Sequence, residues 1–167
     1  VGHGGYGILV QAGATLTARA CALVRNSELG AAVAGEGTAV TLDSSTILDT
    51  QPDASGAVGF GIQVTEDATL DALGCTLEGN TNVGVIVAEE HSEVTLEDTQ
   101  VRGTLVGAEA KSGFGVEVYG GANLEARGCL LEDNAVYGLQ VIDPGTEVTL
   151  EDTIIRGTLP HSGGQLG

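Results

Sequence analysis

The chain has 167 residues, a length that favours one domain, and a net charge of −17, which excludes nucleic acid as a partner because its phosphates would be repelled. No apolar run reaches the roughly 18 residues that a membrane span needs. A hydrophobic content of 42% is too high for a disordered acidic chain, and 27 glycines with few aromatics favour many short strands and turns over an ordinary globular core.

The cysteines and several other residues recur at one constant interval along the chain. They include Cys21, Cys75 and Cys129, and Asn26, Asn80 and Asn134. The chain therefore divides into three copies of one unit, covering about residues 6–59, 60–113 and 114–167.

Each unit contains a second, weaker repeat. Gly7 begins the segment GILV, Gly30 begins GAAV, and Gly61 begins GIQV, so that a shorter step alternates with a longer one. Apolar residues recur at every second position within these segments, which is the period of a strand. Repeats of this length are typical of solenoids. The pattern predicts six turns of a coil, two in each unit, with about three short parallel strands in each turn.

Aligning the six turns predicts four rows of inward side chains that stack along the coil. The first row consists of Val10, Val33, Val64, Val87, Val118 and Val141. The second consists of Leu16, Leu42, Leu70, Leu96, Leu124 and Leu150. The third consists of Tyr6, Leu29, Phe60, Val83, Phe114 and Tyr137, and the fourth of Cys21, Ile47, Cys75, Val101, Cys129 and Ile155. This assignment places four of the five aromatic rings in the core and leaves Tyr119 exposed.

The pattern GxGIxVxxxAxLxAxxCxLxxNxxxGVxV resembles the right-handed parallel β-helix of the pectate-lyase-like superfamily. It is most similar to repeat arrays of large exported bacterial proteins, and the resemblance covers essentially the whole chain. The resemblance implies an all-β, right-handed parallel β-helix and an extracellular or cell-surface location. Enzymes, adhesins and passive stalks share this fold, so the resemblance does not specify an activity.

The regular cysteines raise the question of a metal site or a disulfide. Cysteines in alternate turns would lie about 10 Å apart along the axis, which is too far for a disulfide or for shared zinc ligation. We therefore expect three reduced, buried thiols that fill the core. The asparagines are expected to stabilise a bend, since Asn tolerates the left-handed conformation and its amide bonds to backbone.

An outward row of acidic residues is predicted beside the leucine row, next to a row of Thr15, Thr41, Thr69, Thr95, Asn123 and Thr149. A stack of carboxylates is either a solvated face or a weak site for calcium, which takes six to eight oxygen ligands. The calcium candidates are Asp43, Asp71, Glu97, Asp98, Glu125, Glu151 and Asp152. We expect Asp43, Asp71, Glu97 and Glu125 to be exposed, and no other cofactor is predicted.

Catalytic residues are harder to identify. Lyases and hydrolases of this superfamily use clustered aspartates, the lyases with a basic residue and calcium, and Asp98 with Arg102 or Asp152 with Arg156 could form part of such a set. Both pairs recur between units, however, whereas an active site is normally a single departure from a repeat. We therefore predict a non-enzymatic structural or interaction segment of an exported bacterial protein. The alternative is a polysaccharide-active enzyme or a carbohydrate-binding module.

The chain contains no methionine, so we expect it to be one β-helical fragment, 1–167, of a longer protein. Neither end has an obvious cap, and open strand edges favour end-to-end self-association. A polysaccharide or a protein is the expected partner.

Overall fold

The computed structural model describes residues 5–108 and 112–160. These residues form 18 short strands and no helix. The strands build three parallel sheets of six strands each. The chain therefore winds through six turns with three strands in each turn, and the predicted right-handed parallel β-helix is confirmed.

The three sheets run the length of the coil. Sheet 1 consists of β1 (Ile8–Gln11), β4 (Leu29–Ala34), β7 (Phe60–Thr65), β10 (Val83–Ala88), β13 (Phe114–Tyr119) and β16 (Tyr137–Val141). Sheet 2 consists of β2 (Thr15–Arg19), β5 (Ala39–Asp43), β8 (Thr69–Leu73), β11 (Glu93–Glu97), β14 (Asn123–Arg127) and β17 (Glu147–Glu151). Sheet 3 consists of β3 (Ala22–Val24), β6 (Thr46–Leu48), β9 (Thr76–Glu78), β12 (Gln100–Arg102), β15 (Leu130–Glu132) and β18 (Ile154–Arg156). Turn 1 comprises β1–β3, and each later turn comprises the next three strands, up to β16–β18 in turn 6.

The register of sheet 1 agrees with the predicted valine row. Val10 pairs with Val33, which pairs in turn with Val64, and the same row continues to Val141. Val64 and Val118 are fully buried. The alignment of the turns on their opening glycines is therefore correct for this sheet.

The predicted leucine row is wrong, because the register of sheet 2 is shifted by two positions. Leu16 pairs with Val40, while Leu42 pairs with Ala18 on one side and Ala72 on the other. Matching leucine with leucine had instead placed Leu16 beside Leu42. A slip of two positions leaves each side chain on the same face of its strand, so Leu42, Leu70 and Leu96 are buried as expected.

The corrected register gives two inward rows in which side-chain size alternates. One row consists of Leu16, Val40, Leu70, Val94, Leu124 and Val148, and the other of Ala18, Leu42, Ala72, Leu96, Ala126 and Leu150. In each turn, one of the two rows has the larger side chain and the other row has the smaller one. In the next turn the two sizes are exchanged. Such alternation fills a narrow core at high packing density.

The cysteines share a row with hydroxyl residues and not with isoleucine and valine. The backbone N–H of Cys75 donates to Oγ1 of Thr99 at 3.2 Å, and the N–H of Cys129 donates to Oγ1 of Thr153 at 3.4 Å. Ile47 pairs instead with Leu23 and Leu77. The row lies at the corner between sheets 2 and 3, where backbone groups leave the sheet ladder and small side chains with a polar atom can bond to them.

Burial of the cysteines depends on the turn. Cys75 and Cys129 are each 2% exposed, as predicted, and their thiols donate at 3.3 Å to the carbonyl oxygens of Leu42 and Leu96 in the preceding turn. Cys21 is exposed and Leu16 is only half-buried, contrary to prediction. Both lie in turn 1, on the side where the described residues provide no further turn to cover them. All three cysteines are free.

Each of the three corners of every turn contains a residue with left-handed backbone. One corner falls at Ser44, Asp98 and Asp152 and at their counterparts Ala20, Gly74 and Gly128, with φ between 48° and 62°. A side chain at Gly128 would lie 2.5 Å from Oδ1 of Asp98 in the preceding turn. Aspartate tolerates this conformation, and glycine in the next turn leaves room for its carboxylate.

Candidate functional site

The acidic row predicted on the outer face of sheet 2 does not form, because the register is shifted by two positions. Asp71 lies between Thr41 and Thr95, and Glu125 lies between Thr95 and Thr149. Carboxylates of this row are therefore about 10 Å apart, two turns along the coil. A second outward row consists of Arg19, Asp43, Leu73, Glu97, Arg127 and Glu151.

Arginines pair with several of the calcium candidates. Arg127 contacts Glu125 at 3.0 Å and Glu151 at 2.9 Å, and Arg19 contacts Asp43 at 3.4 Å. Asp43 is half-buried, contrary to prediction, while Asp71, Glu97 and Glu125 are exposed as expected. These pairs are largely solvated, so each contributes at most about 1 kcal/mol. They nevertheless reduce the negative charge available to a cation.

A hollow of about 300 Å³ lies on the same face of sheet 2, between turns 4 and 6. Its polar lining comprises Glu93, Thr95, Asn123, Glu125, Glu147 and Thr149. Glu93 and Glu147 were not among the candidates, although the sequence marks them as the first residue of a stretch, EVTLED, that occurs twice. Within residues 5–108 and 112–160, no three His, Cys, Asp or Glu side chains are grouped closely enough to hold a metal ion. The solvated face and the weak calcium site stay alternative predictions.

The residues considered for catalysis have partners of their own. Arg102 donates to Glu78 at 2.8 Å, and Arg156 donates to Glu132 at 2.7 Å, in each case across to the preceding turn. Asp98 and Asp152 occupy the left-handed corner described above. The structure thus gives each arginine a carboxylate partner on sheet 3, and the same arrangement occurs in the second and the third unit.

The aromatic rings lie on the outer face of sheet 1, whereas the sequence had placed four of them in the core. Tyr6 and Tyr137 expose 38% and 39% of their surface, and Phe60 and Phe114 are half-buried. Among the described residues, none of these four rings packs against the core cluster. The prediction failed because inward and outward side chains do not alternate strictly where each strand begins. Gly61 and Ile62, for example, are consecutive and both buried.

This outer face forms a shallow apolar surface. Near turn 1 it contains a groove of about 210 Å³, which Tyr6, Leu9, Leu29 and Gln63 help to line. At the other end, the rings of Phe114 and Tyr137 are 5.2 Å apart and inclined at 43°. Aromatic faces of this kind can stack against apolar faces of a ligand.

Two titratable groups on this face are affected by burial. Burial raises the pKa of Glu117, which lies between Ile86 and Gln140 in an outward row. Burial also raises the pKa of Tyr119, and the nearby carboxylates of Glu117, Glu89 and Asp143 raise it further. A partly desolvated acid therefore lies on the outer face of sheet 1, in turn 5.

Comparison with known proteins identifies the class. The family model described as the right-handed β-helix region matches residues 1–155. The chain therefore belongs to the right-handed β-helix family, in agreement with its parallel sheets. Neither a curated protein nor a solved structure gives a significant match. The described residues contain no helix that is long and apolar enough to cross a membrane.

Proposed function

We propose that this chain is a non-enzymatic repeat segment of an exported bacterial protein, which acts as a rigid support and as an interaction surface. The observation that carries the proposal is the repetition of the same contacts in successive units. The amides of Asn80 and Asn134, the thiols of Cys75 and Cys129, and the Arg–Glu pairs of sheet 3 each recur at the same place in the second and the third unit. A scaffold needs such repetition, whereas catalysis needs one unique cluster of groups.

The proposal is tested by exposing the chain to acidic polysaccharides with and without calcium and following the release of new chain ends. We expect no turnover. Turnover that disappears in Asp98→Ala or Arg102→Ala, but persists in the repeated counterparts Asp152→Ala and Arg156→Ala, would identify a unique site and overturn the proposal.

A carbohydrate-binding module of the pectate-lyase-like superfamily is the second candidate, and the outer face of sheet 1 favours it. Tyr6, Phe60 and Phe114 occupy matching positions in alternate turns, so they recur about every 10 Å along the coil. Rings at regular intervals on a shallow face can stack against successive sugars of an extended glycan. The sequence had predicted that four aromatic rings lie in the core, which weakened the case for a carbohydrate-binding module. The outward position of these rings supports that case.

Binding to a glycan array tests this second candidate. The double variant Phe60→Ala/Phe114→Ala removes two rings, and Leu105→Ala removes an exposed apolar side chain from another part of the surface. Carbohydrate binding on sheet 1 predicts that the double variant loses binding at least about tenfold while Leu105→Ala does not. No binding by the unchanged chain, or equal binding by both variants, would contradict it.

A further inference from the structure

Two rows of side chains run next to each other along the outer face of sheet 1. The first row is apolar and contains Leu29, Phe60, Val83, Phe114 and Tyr137. The second row consists of Leu9, Ala32, Gln63, Ile86, Glu117 and Gln140. In turn 3 the ring of Phe60 therefore shares a strand with the amide of Gln63. In turn 5 the ring of Phe114 shares a strand with the carboxyl of Glu117.

These two pairs of a ring and a hydrogen-bonding group lie inside the coil. Turn 3 and turn 5 each have a neighbouring turn on both sides, so the pairs do not depend on where the coil begins or ends. All four side chains are half-buried, whereas Val83 and Ile86, which lie between them in turn 4, are buried. The two pairs are thus accessible from outside, and they are two turns, or about 10 Å, apart.

The outer face of sheet 1 has little charge. Glu117 is the one charged residue in the six strands of this sheet. Burial raises the pKa of its carboxyl, because the charged form loses water there without gaining an opposite charge.

The border of this face is acidic. Among the described residues, no lysine or arginine lies in the strands of sheet 1 or in the bends that follow them. Those bends contain Glu36, Glu66, Asp67, Glu89, Glu90 and Asp143. An anionic ligand on this face would therefore find no opposite charge, and the acidic border would repel it.

The shape of the apolar row suits a polymer chain better than a folded protein. The row is one side chain wide, whereas a stable protein interface covers a broad patch of about 800 Å² on each partner. The strands of turns 3 and 5 are paired on both edges, so an extended peptide could not add to them as a further strand. An extended glycan is narrow, and its sugars have apolar faces and edges with hydroxyl groups, which match a row of rings beside a row of polar groups.

We propose that the outer face of sheet 1 binds an uncharged glycan that lies along the coil. Its sugars stack on the rings of Phe60 and Phe114. The amide of Gln63 donates to and accepts from sugar hydroxyls, and the carboxylate of Glu117 accepts from them. This inference rests on the second candidate function, the carbohydrate-binding module, and adds the chemical class of its ligand. Polymers of uronic acids or of sulfated sugars are not ligands of this face.

A comparison of neutral and acidic polymers tests the class of ligand. The chain of residues 1–167 is applied to neutral glucans, mannans and galactans, and to polygalacturonate and a sulfated galactan. We expect binding to at least one neutral polymer and to neither polyanion. Oxidising the C6 hydroxyls of the bound polymer to carboxylates adds charge to the same backbone, and it should weaken binding at least about tenfold.

The outcomes separate this inference from the function on which it rests. Binding that is confined to the polyanions, or that is unchanged by oxidation of the neutral polymer, would overturn the uncharged ligand and leave the carbohydrate-binding module in place. No binding to any of these glycans would overturn both.

Two glutamine variants test the location of the site. Gln63→Ala removes the amide beside Phe60 and should weaken binding to the neutral polymer about three- to tenfold. Gln100→Ala is the matched control, because Gln100 is exposed on sheet 3, and it should bind like the unchanged chain. Glu117→Gln removes the charge and should narrow the difference in affinity between the neutral polymer and its oxidised form. Equal binding by the two glutamine variants, or an unchanged difference in Glu117→Gln, would contradict the proposed site.

Discussion

Asn80 ties turn 3 of the coil to Ile47 in turn 2, because its buried side-chain amide donates to the carbonyl oxygen of Ile47 at 3.1 Å. Its Oδ1 accepts from the backbone N–H of Thr50, also at 3.1 Å. Both backbone groups lie near the end of β6, where the chain leaves sheet 3. One side chain thus satisfies the donor and the acceptor of a bend in the preceding turn.

Replacing Asn80 with alanine should destabilise the protein by about 2–4 kcal/mol, because two buried backbone groups lose their partners. Asn26→Ala is the matched control, because Nδ2 of Asn26 has no such partner among the described residues. This substitution should lower the free energy of unfolding by less than about 1 kcal/mol in dilute solution. Denaturant unfolding of the two variants measures the difference. Equal losses of stability would show that the amide bonds are not what distinguishes the two positions.

The three thiols should differ in reactivity. Cys21 is exposed, while Cys75 and Cys129 are buried, and burial raises the pKa of both buried thiols. A thiol reagent should therefore label one cysteine per native chain rapidly and all three after unfolding. Cys21→Ser should remove the rapid phase. Rapid labelling of Cys75 in the folded chain would contradict the packing described for the corner row.

Stability should depend on pH through Glu117. Burial raises the pKa of this carboxyl above its ordinary value of 4.5, so above that value the folded chain binds more protons than the unfolded chain. The contribution of Glu117 to stability is then largest at low pH and is lost as the pH rises through the raised pKa. Glu117→Gln keeps the shape and stays neutral. It should match the unchanged protein below about pH 4 and be more stable at pH 7. A variant that is less stable at pH 7 would show that the ionised carboxylate has a favourable partner.

Calcium should have only a non-specific effect on stability. Asp71 and Glu125 alternate with threonines along their row, and Arg127 contacts both Glu125 and Glu151. These carboxylates therefore do not form a continuous row of oxygen ligands. Millimolar calcium should raise the melting temperature no more than sodium chloride of equal ionic strength. A stoichiometric site in calorimetry, abolished by Glu125→Gln and retained in Asp43→Asn, would instead establish a calcium site at the hollow of sheet 2.

The sequence was sufficient to predict the fold, because a constant repeat interval without insertions requires neighbouring units to be alike. It was not sufficient to predict the register of sheet 2. Matching leucine with leucine is the obvious alignment, but Leu42 lies between Ala18 and Ala72 in the structure. Leu70 likewise lies between Val40 and Val94. The alternation of side-chain size between turns was the signal that could have corrected it.

The candidate site was less predictable than the fold. An alternating strand places Phe60 inward by counting back from Ile62, but the strand departs from alternation at Gly61, where a Cβ would lie 2.5 Å from the carbonyl oxygen of Gly84. That close approach between turns is not visible in a pattern of apolar residues. The contacts of Arg102 and Arg127 likewise depend on which residue lies beside them in the neighbouring turn, and so on the register.

The central claim is the register of the six turns, from which the alternating core rows and the separated carboxylates both follow. Thr41 distinguishes the two registers, because it pairs with Asp71 in the structure and would pair with Thr69 if the leucines were stacked on one another. Two double variants in a Cys21→Ser background, Thr41→Cys/Asp71→Cys and Thr41→Cys/Thr69→Cys, can be oxidised and mapped by mass spectrometry. The account predicts an efficient intramolecular disulfide in the first variant and little in the second. Efficient linkage of positions 41 and 69, with none between 41 and 71, would contradict it.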